Sequence, residues 1–152
     1  MTAVDHTGEH VGRNVLSGVF LGVGIAAFVD ETVFHQLLHW HHFYDKSTPA
    51  VGLVSDGLFH AFGFFCAVGA LFLLSDLRRR QWFDRRAWWG GLLGGAGAFQ
   101  LYDGTVQHKL LHLHQIRYGV GLAPYDWTWN LIAVAMLAAG FALLWRRRRR
   151  SA

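Results

Sequence analysis

The sequence predicts an all-α integral membrane protein: a four-helix bundle made of two tandem helical-hairpin repeats with pseudo-two-fold symmetry. Three observations lead there. Just over half of the 152 residues are apolar, and they gather in four stretches. The cations are concentrated in two short blocks, 78–86 and 146–150. Residues 18–41 recur, without a gap, at 91–114.

The first apolar stretch runs from Val15 to Val29 and continues as a mixed segment to Trp40. The second is Gly57 to Leu74, the third Ala87 to Tyr102 with a continuation to Leu113, and the fourth Trp127 to Trp145. A span needs about 20 residues at about 1.5 Å each. The second and fourth stretches meet that directly. The first and third meet it only by carrying Asp30 and Asp103 within the outer part of the bilayer. The expected organisation is an arm at 1–13, hairpin 1 at 14–77, an Arg-rich loop at 78–86, hairpin 2 at 87–146 and a basic tail at 147–152. The loop RRRQWFDRR holds five Arg, and the run 146–150 at the start of the tail holds five more. The positive-inside rule therefore puts both termini and this loop in the cytoplasm of a bacterial inner membrane. Five Arg directly after an apolar span are read as a stop-transfer anchor, not a nucleic-acid arm. The first 14 residues are polar and no secretory signal is expected. Cys66 is the only cysteine, which excludes an intramolecular disulfide and disfavours thiolate metal sites.

The repeat carries the chemistry. At an offset of 73 the identical pairs include Gly18/Gly91, Gly22/Gly95, Gly24/Gly97, Asp30/Asp103, His35/His108, His39/His112 and His41/His114. After a three-residue deletion, Asp56 aligns with Asp126 and His60 with Asn130. Each hairpin so reads Asp-x4-His-x3-His-x-His, and then Asp-x3-His or Asp-x3-Asn. Two spans per repeat give both repeats one orientation, so both His sets reach the same, non-cytoplasmic face. The glycines are small-xxx-small pairs that let the first and third helices approach closely.

On a regular helix, Glu31, His35, His39 and His42 share one face, and Asp30 and His41 share another. His at i and i+4 can bind one ion. Asp30 lies about 25 Å along the helix from Arg13, short of the far hydrocarbon boundary. A carboxylate there must be paired, coordinated or turned to the interior. The candidate metal ligands are Asp30, His35, His39, His41, His42, Asp56, His60, Asp103, His108, His112, His114 and Asp126. Glu31 and Asp56 are candidate general bases. Solvated histidines, a pH-responsive cluster and haem held by two His are the competing readings. The number of Asp favours a directly bound divalent ion. Imidazole with carboxylate suits Zn(II), Fe(II) or Cu(II), in a dinuclear centre or two separate sites. Glu31/Gly104, His42/Gln115 and His60/Asn130 leave the first repeat richer in ligands. His6 and His10, outside the repeat, are read as incidental.

The runs Phe28-Val29-Asp30 to His35-Gln36-Leu37-Leu38-His39-Trp40-His41-His42, Ser55 to Ala61, and Tyr102-Asp103-Gly104 to His114 resemble the bacterial membrane-protein family catalogued as domain of unknown function 2243. The resemblance covers residues 12 to 147. It implies a four-helix membrane protein, and an association with cytochrome oxidase assembly that would mean copper or respiratory-chain work.

Three functions compete: a protein that stores, delivers or senses a divalent ion, an intramembrane metalloenzyme (a di-metal oxygenase or a zinc hydrolase), and a transporter, which four helices could form only as a homo-oligomer. A buried cavity lined by Trp40, Phe59, Trp127 and Trp129 beside the ions would favour an enzyme. Otherwise these aromatics are an interfacial belt.

Overall fold

A computed structural model describes residues 7–151. It is all-helical among these residues: α1 (Thr7–Asp30), α2 (Pro49–Arg79), α3 (Arg85–Tyr102) and α4 (Ala123–Ser151). Two π-helical segments, π1 (Glu31–Leu37) and π2 (Asp103–Leu110), continue α1 and α3.

Three helical stretches are long and apolar enough to cross a membrane: Gly8–Leu37, Pro49–Arg79 and Ala123–Arg149. α3 is shorter and less apolar, with glycine and alanine in place of large apolar side chains along much of it. Gly90, Gly91, Gly95, Ala96 and Gly97 are buried. α3 is the inner helix, and its small residues serve packing. A Cβ added at Gly91 would lie 2.9 Å from the Cα of Val15, and one at Gly95 2.7 Å from the Cα of Val19. From the other side, a Cβ at Gly18 would meet the Leu92 nitrogen at 2.7 Å, and one at Gly22 the Ala96 nitrogen at 2.8 Å. The α1–α3 pair is thus in backbone contact, which only glycine permits.

The helices form a row, not a closed square. α1 and α3 pack at the centre, α2 flanks α1, and α4 flanks α3; α2 and α4 do not touch each other. Gly24 sets α2 close to α1 and Gly97 sets α4 close to α3. The outer helices turn large apolar residues outward, among them Leu58, Phe65 and Phe72 on α2 and Leu131 and Phe141 on α4. Such a surface suits lipid.

The Arg-rich end is tied by polar contacts. Buried Asn14 donates to the His10 and Trp82 carbonyls and accepts from the Asp84 N–H. Asp84 caps α3 by accepting from the N–H groups of Arg86 and Ala87, and pairs with Arg147 at 2.5 Å. Those bonds outweigh burial and hold the Asp84 carboxyl below the usual carboxylate range. The His10 ring stacks on Trp82 at 3.8 Å, and His6 lies outside the described residues. α1 begins at Thr7 and α4 runs to Ser151, so helix extends into the expected arm and through much of the basic tail.

The other end departs from a regular helix. π-helical bonding stacks residues five apart instead of four. Leu38 N–H bonds to the Val33 carbonyl at 2.9 Å and Leu111 N–H to the Val106 carbonyl at 2.8 Å. Each segment then stops just before a left-handed histidine, His39 (φ 50°) and His112 (φ 49°). A left-handed residue is a common helix terminator, and His tolerates it better than most non-glycine residues. The expectation of one regular helical face joining Glu31, His35, His39 and His42 is therefore corrected: the helix widens at 31 and ends at 37.

Candidate metal centre

The π turns assemble the site. Five-residue spacing sets Asp30 beneath His35 and Asp103 beneath His108. Asp103 Oδ2 lies 3.1 Å from His108 Nε2, and Asp30 Oδ2 lies 3.9 Å from His35 Nε2. On an α-helix, residues five apart would diverge by about 140°. The chain then turns back after the left-handed residues, which brings His41 and His114 over the same centre.

Four imidazoles converge there. His41 and His114 stack with centroids 4.5 Å apart and planes 5° apart. His35 stands edge-on to His41 at 4.4 Å, and His108 to His114 at 4.7 Å. His114 Nε2 is 3.5 Å from Asp103 Oδ1, and Gln107 donates to that same oxygen at 3.0 Å. Asp30, His35, His41, Asp103, His108 and His114 are all buried.

The outer nitrogens are held across the halves. His41 Nδ1 bonds to the Ile116 carbonyl at 3.0 Å, and His114 Nδ1 to the Phe43 carbonyl at 2.8 Å. A carbonyl only accepts, so each Nδ1 carries the proton and a neutral ring turns its Nε2 lone pair inward. Burial, reinforced by His114, His35 and His108, pushes His41 down to about 2, which keeps it neutral. The Nε2 atoms of His35, His41, His108 and His114 are all buried; those of His35 and His41 make no hydrogen bond, and those of His108 and His114 meet only the Asp103 carboxylate, at 3.1 and 3.5 Å.

Three overlapping groups could hold a metal ion: His41 with His108 and His114, Asp30 with His35 and His41, and Glu31 with His35 and Asp56. Within each group the donor atoms lie within 4.8 Å of one another, against about 3.4 Å between two nitrogen ligands on one tetrahedral ion. The third group belongs to the first half alone. His35 Nδ1 is 2.8 Å from Glu31 Oε2 and 3.2 Å from Asp56 Oδ1. Asp56 also accepts from His42 Nδ1 at 2.6 Å and from the Phe43 N–H at 2.7 Å. Gly52 leaves room for the His42 ring, since a Cβ there would come within 2.8 Å of it. In the second half, Gly104 stands where Glu31 stands in the first, and the space is taken by Trp129 and Asn130.

The remaining sequence candidates stand apart. His39, His112 and His60 are exposed. His39 and His112 serve as the left-handed stops, and the His60 ring lies against Phe28 at 5.3 Å. Asp126 pairs with Lys109 at 2.5 Å, whereas its counterpart Asp56 meets only imidazoles and a backbone N–H.

The family described as predicted membrane protein (DUF2243) matches residues 17–147, which include every residue of this cluster. The chain belongs to that family. No curated protein and no solved structure matches it. In this DUF2243 chain the carbonyls of Phe43 and Ile116 and the amide of Gln107 complete the centre, and sequence reasoning missed all three. Gln107 could have been found from its position four residues after Asp103. The carbonyls left no signal, because any residue supplies one.

Proposed function

We propose that this chain is an integral membrane metal-binding protein of the bacterial plasma membrane. It consists of two tandem hairpins related by a pseudo-two-fold axis along the membrane normal. α3 with π2 is the fourth span, buried by its neighbours instead of by lipid. The Arg-rich blocks 78–86 and 146–150 argue for cytoplasmic termini, with the His/Asp centre at the opposite side. The contacts that come in pairs 73 residues apart support the repeat: His41 to Ile116 with His114 to Phe43, and His39 with His112.

The centre holds one or two divalent transition-metal ions between Asp30, His35 and His41 on one side and Asp103, His108 and His114 on the other. The observation that carries this reading is the convergence of four buried Nε2 atoms that meet no partner but a carboxylate, two of them in rings whose protons are held on the far nitrogen. Four buried carboxylates (Asp30, Glu31, Asp56 and Asp103) meet imidazoles and no Lys or Arg among the described ion pairs. A cation offsets that burden. Imidazole and carboxylate suit Zn(II), Fe(II) or Cu(II), and the family resemblance points to metal handling for respiratory oxidases.

A second reading, an intramembrane metalloenzyme, is favoured by one observation. A cleft of about 590 Å³ opens beside the centre with Asp30 in its wall; Trp40 and Trp129 line it, whereas Phe59 lines a different cleft and Trp127 is exposed. X-ray absorption on protein loaded with Cu(II) or Zn(II) tests the metal reading. It predicts nitrogen and oxygen ligation with imidazole outer-shell scattering. Sulfur ligation, or failure to take up either ion, contradicts it.

A further inference from the structure

The third group of candidate ligands, Glu31 with His35 and Asp56, extends outward from the shared centre through His35, and among the described residues it has no counterpart in the second half. One proton lies there between two anions. His35 Nδ1 is 2.8 Å from Glu31 Oε2 and 3.2 Å from Asp56 Oδ1, and a ring nitrogen carries at most one hydrogen. That hydrogen is aligned on Asp56, and Glu31 Oε2, in a residue 1 % exposed, is left without a hydrogen bond. Two ligands on one ion lie about 2.9 Å apart at a right angle and about 3.4 Å apart in a tetrahedron. Both separations are close to that range, so a cation fits in the place of the proton. The other atoms of the two carboxylates are already held. Gln36 donates to Glu31 Oε1 at 2.7 Å, and Asp56 is fixed by His42 Nδ1 at 2.6 Å and the Phe43 N–H at 2.7 Å. Bonds of this kind orient ligand carboxylates.

The second half supplies a contrast. At the offset of 73, Lys109 stands for Gln36 and Gly104 for Glu31. Lys109 pairs with Asp126, the counterpart of Asp56, so one carboxylate meets one fixed cation. In the first half two carboxylates, each 1 % exposed, meet imidazoles and no Lys or Arg among the described ion pairs. The acidic and lysine side chains of the first half thus fall two charges below those of the second, the charge that a divalent cation brings. Buried carboxylates without such a partner cost free energy.

The nitrogens set the number of ions. His41 has one lone pair to give, because its Nδ1 proton is held by the Ile116 carbonyl, so the two groups that share His41 describe one ion. His35 has two nitrogens, and its Nε2 faces Asp30 at 3.9 Å. We propose that a second ion sits in the first half alone, held by Glu31, Asp56 and His35 Nδ1, with the His35 ring bridging it to the ion of the shared centre through Nε2. This site rests on the metal reading and adds to it. On loading, His35 Nδ1 releases its proton to solvent and the ring becomes an imidazolate between two cations; no electron moves. The frame of the second site depends on the first. His41 packs edge-on against His35 at 4.4 Å, and His114 Nδ1 holds the carbonyl of Phe43, the residue whose N–H fixes Asp56. Removing His41 and His114 therefore removes both ions.

The experiment loads the full chain in nanodiscs with Cu(II), removes loosely held ion by gel filtration, and measures copper per chain and the spin count by electron paramagnetic resonance. Wild type should hold about two copper ions per chain, with a spin count well below the copper content, because a bridging imidazolate couples two Cu(II). Glu31→Gln should hold one, with a spin count equal to it. Gln36→Lys, which puts the second half's lysine at an exposed position beside Glu31, should do the same. Two copper ions retained in both variants, or a wild-type spin count equal to its copper content, would overturn the proposal. Wild type that takes up no copper would sink the metal reading as well. One copper per chain, lost in His41→Ala/His114→Ala and unaffected by Glu31→Gln, would sink the second site and leave the metal reading.

Discussion

Replacing Asp56 with Asn separates the two halves of the centre. Asp56 is 1 % exposed and receives His35 Nδ1 at 3.2 Å, His42 Nδ1 at 2.6 Å and the Phe43 N–H at 2.7 Å. The carboxamide retains one acceptor oxygen, and it can stay on both Phe43 and His35, which meet the same Oδ1. Its NH₂ then faces His42, whose half-exposed ring can shift its proton outward. His35 keeps its acceptor, but a neutral one replaces a charged one. A bond to a charged group contributes about 1.5–3 kcal/mol and a neutral one about 0.5–1.5. Asp56→Asn should therefore cost roughly 2–3 kcal/mol of stability. Loss of such a support typically lowers metal affinity about 10–100-fold, equivalent to about 1.4–2.8 kcal/mol. Asp126→Asn is the matched control. Its partner Lys109 has a side chain 41 % exposed, so the pair is worth about 0–1 kcal/mol and should leave the metal untouched. Competition with a chromophoric chelator for Zn(II), together with near-UV circular-dichroism melts, reads both quantities. Asp56→Asn protein within twofold of wild type in Zn(II) affinity, or equal losses in the two variants, would refute the reasoning.

Gly91→Leu forces a side chain into the Val15 backbone and should cost more than about 3 kcal/mol or abolish folding, whereas Gly94→Ala, with nothing within 4 Å, should melt within a degree or two of wild type. His39→Gly should retain its metal and gain up to about 1 kcal/mol in thermal melts, because glycine accepts the left-handed backbone at φ 50° without strain. Asp84→Ala removes the α3 cap and should cost about 1 kcal/mol at pH 7. Asp84 titrates below its ordinary 3.8 in the folded state, so its contribution is present above that pH and is lost as pH falls. The wild-type and variant melting temperatures should converge below about pH 4, and a gap that widens there would contradict the assignment.

Much of the fold could be read from residue order. The apolar stretches marked α1, α2 and α4 as spans, and the Arg blocks marked their ends. Gly18, Gly22, Gly91 and Gly95 announced the α1–α3 contact, because small residues four apart have one main use in apolar helices. The site was legible in composition: Asp30, His35, His41, Asp103, His108 and His114 were all among the candidates. The geometry was not. Asp30 and His35, five apart, diverge on an α-helix, and no local propensity marks a switch to π bonding. His39 and His112 had the right chemistry and spacing for ligands, and yet they take a backbone role that depends on where the helix stops. The row arrangement also escaped the reading, since four amphipathic or apolar helices suit a square and a row alike.

Elemental analysis of purified, metal-loaded protein bears on the central claim most directly, with His41→Ala/His114→Ala set against His39→Ala/His112→Ala. The account predicts about one or two transition-metal ions per chain in wild type and in the second pair, and less than about a tenth of that in the first. Equal metal in both double variants, or none in wild type, would contradict it.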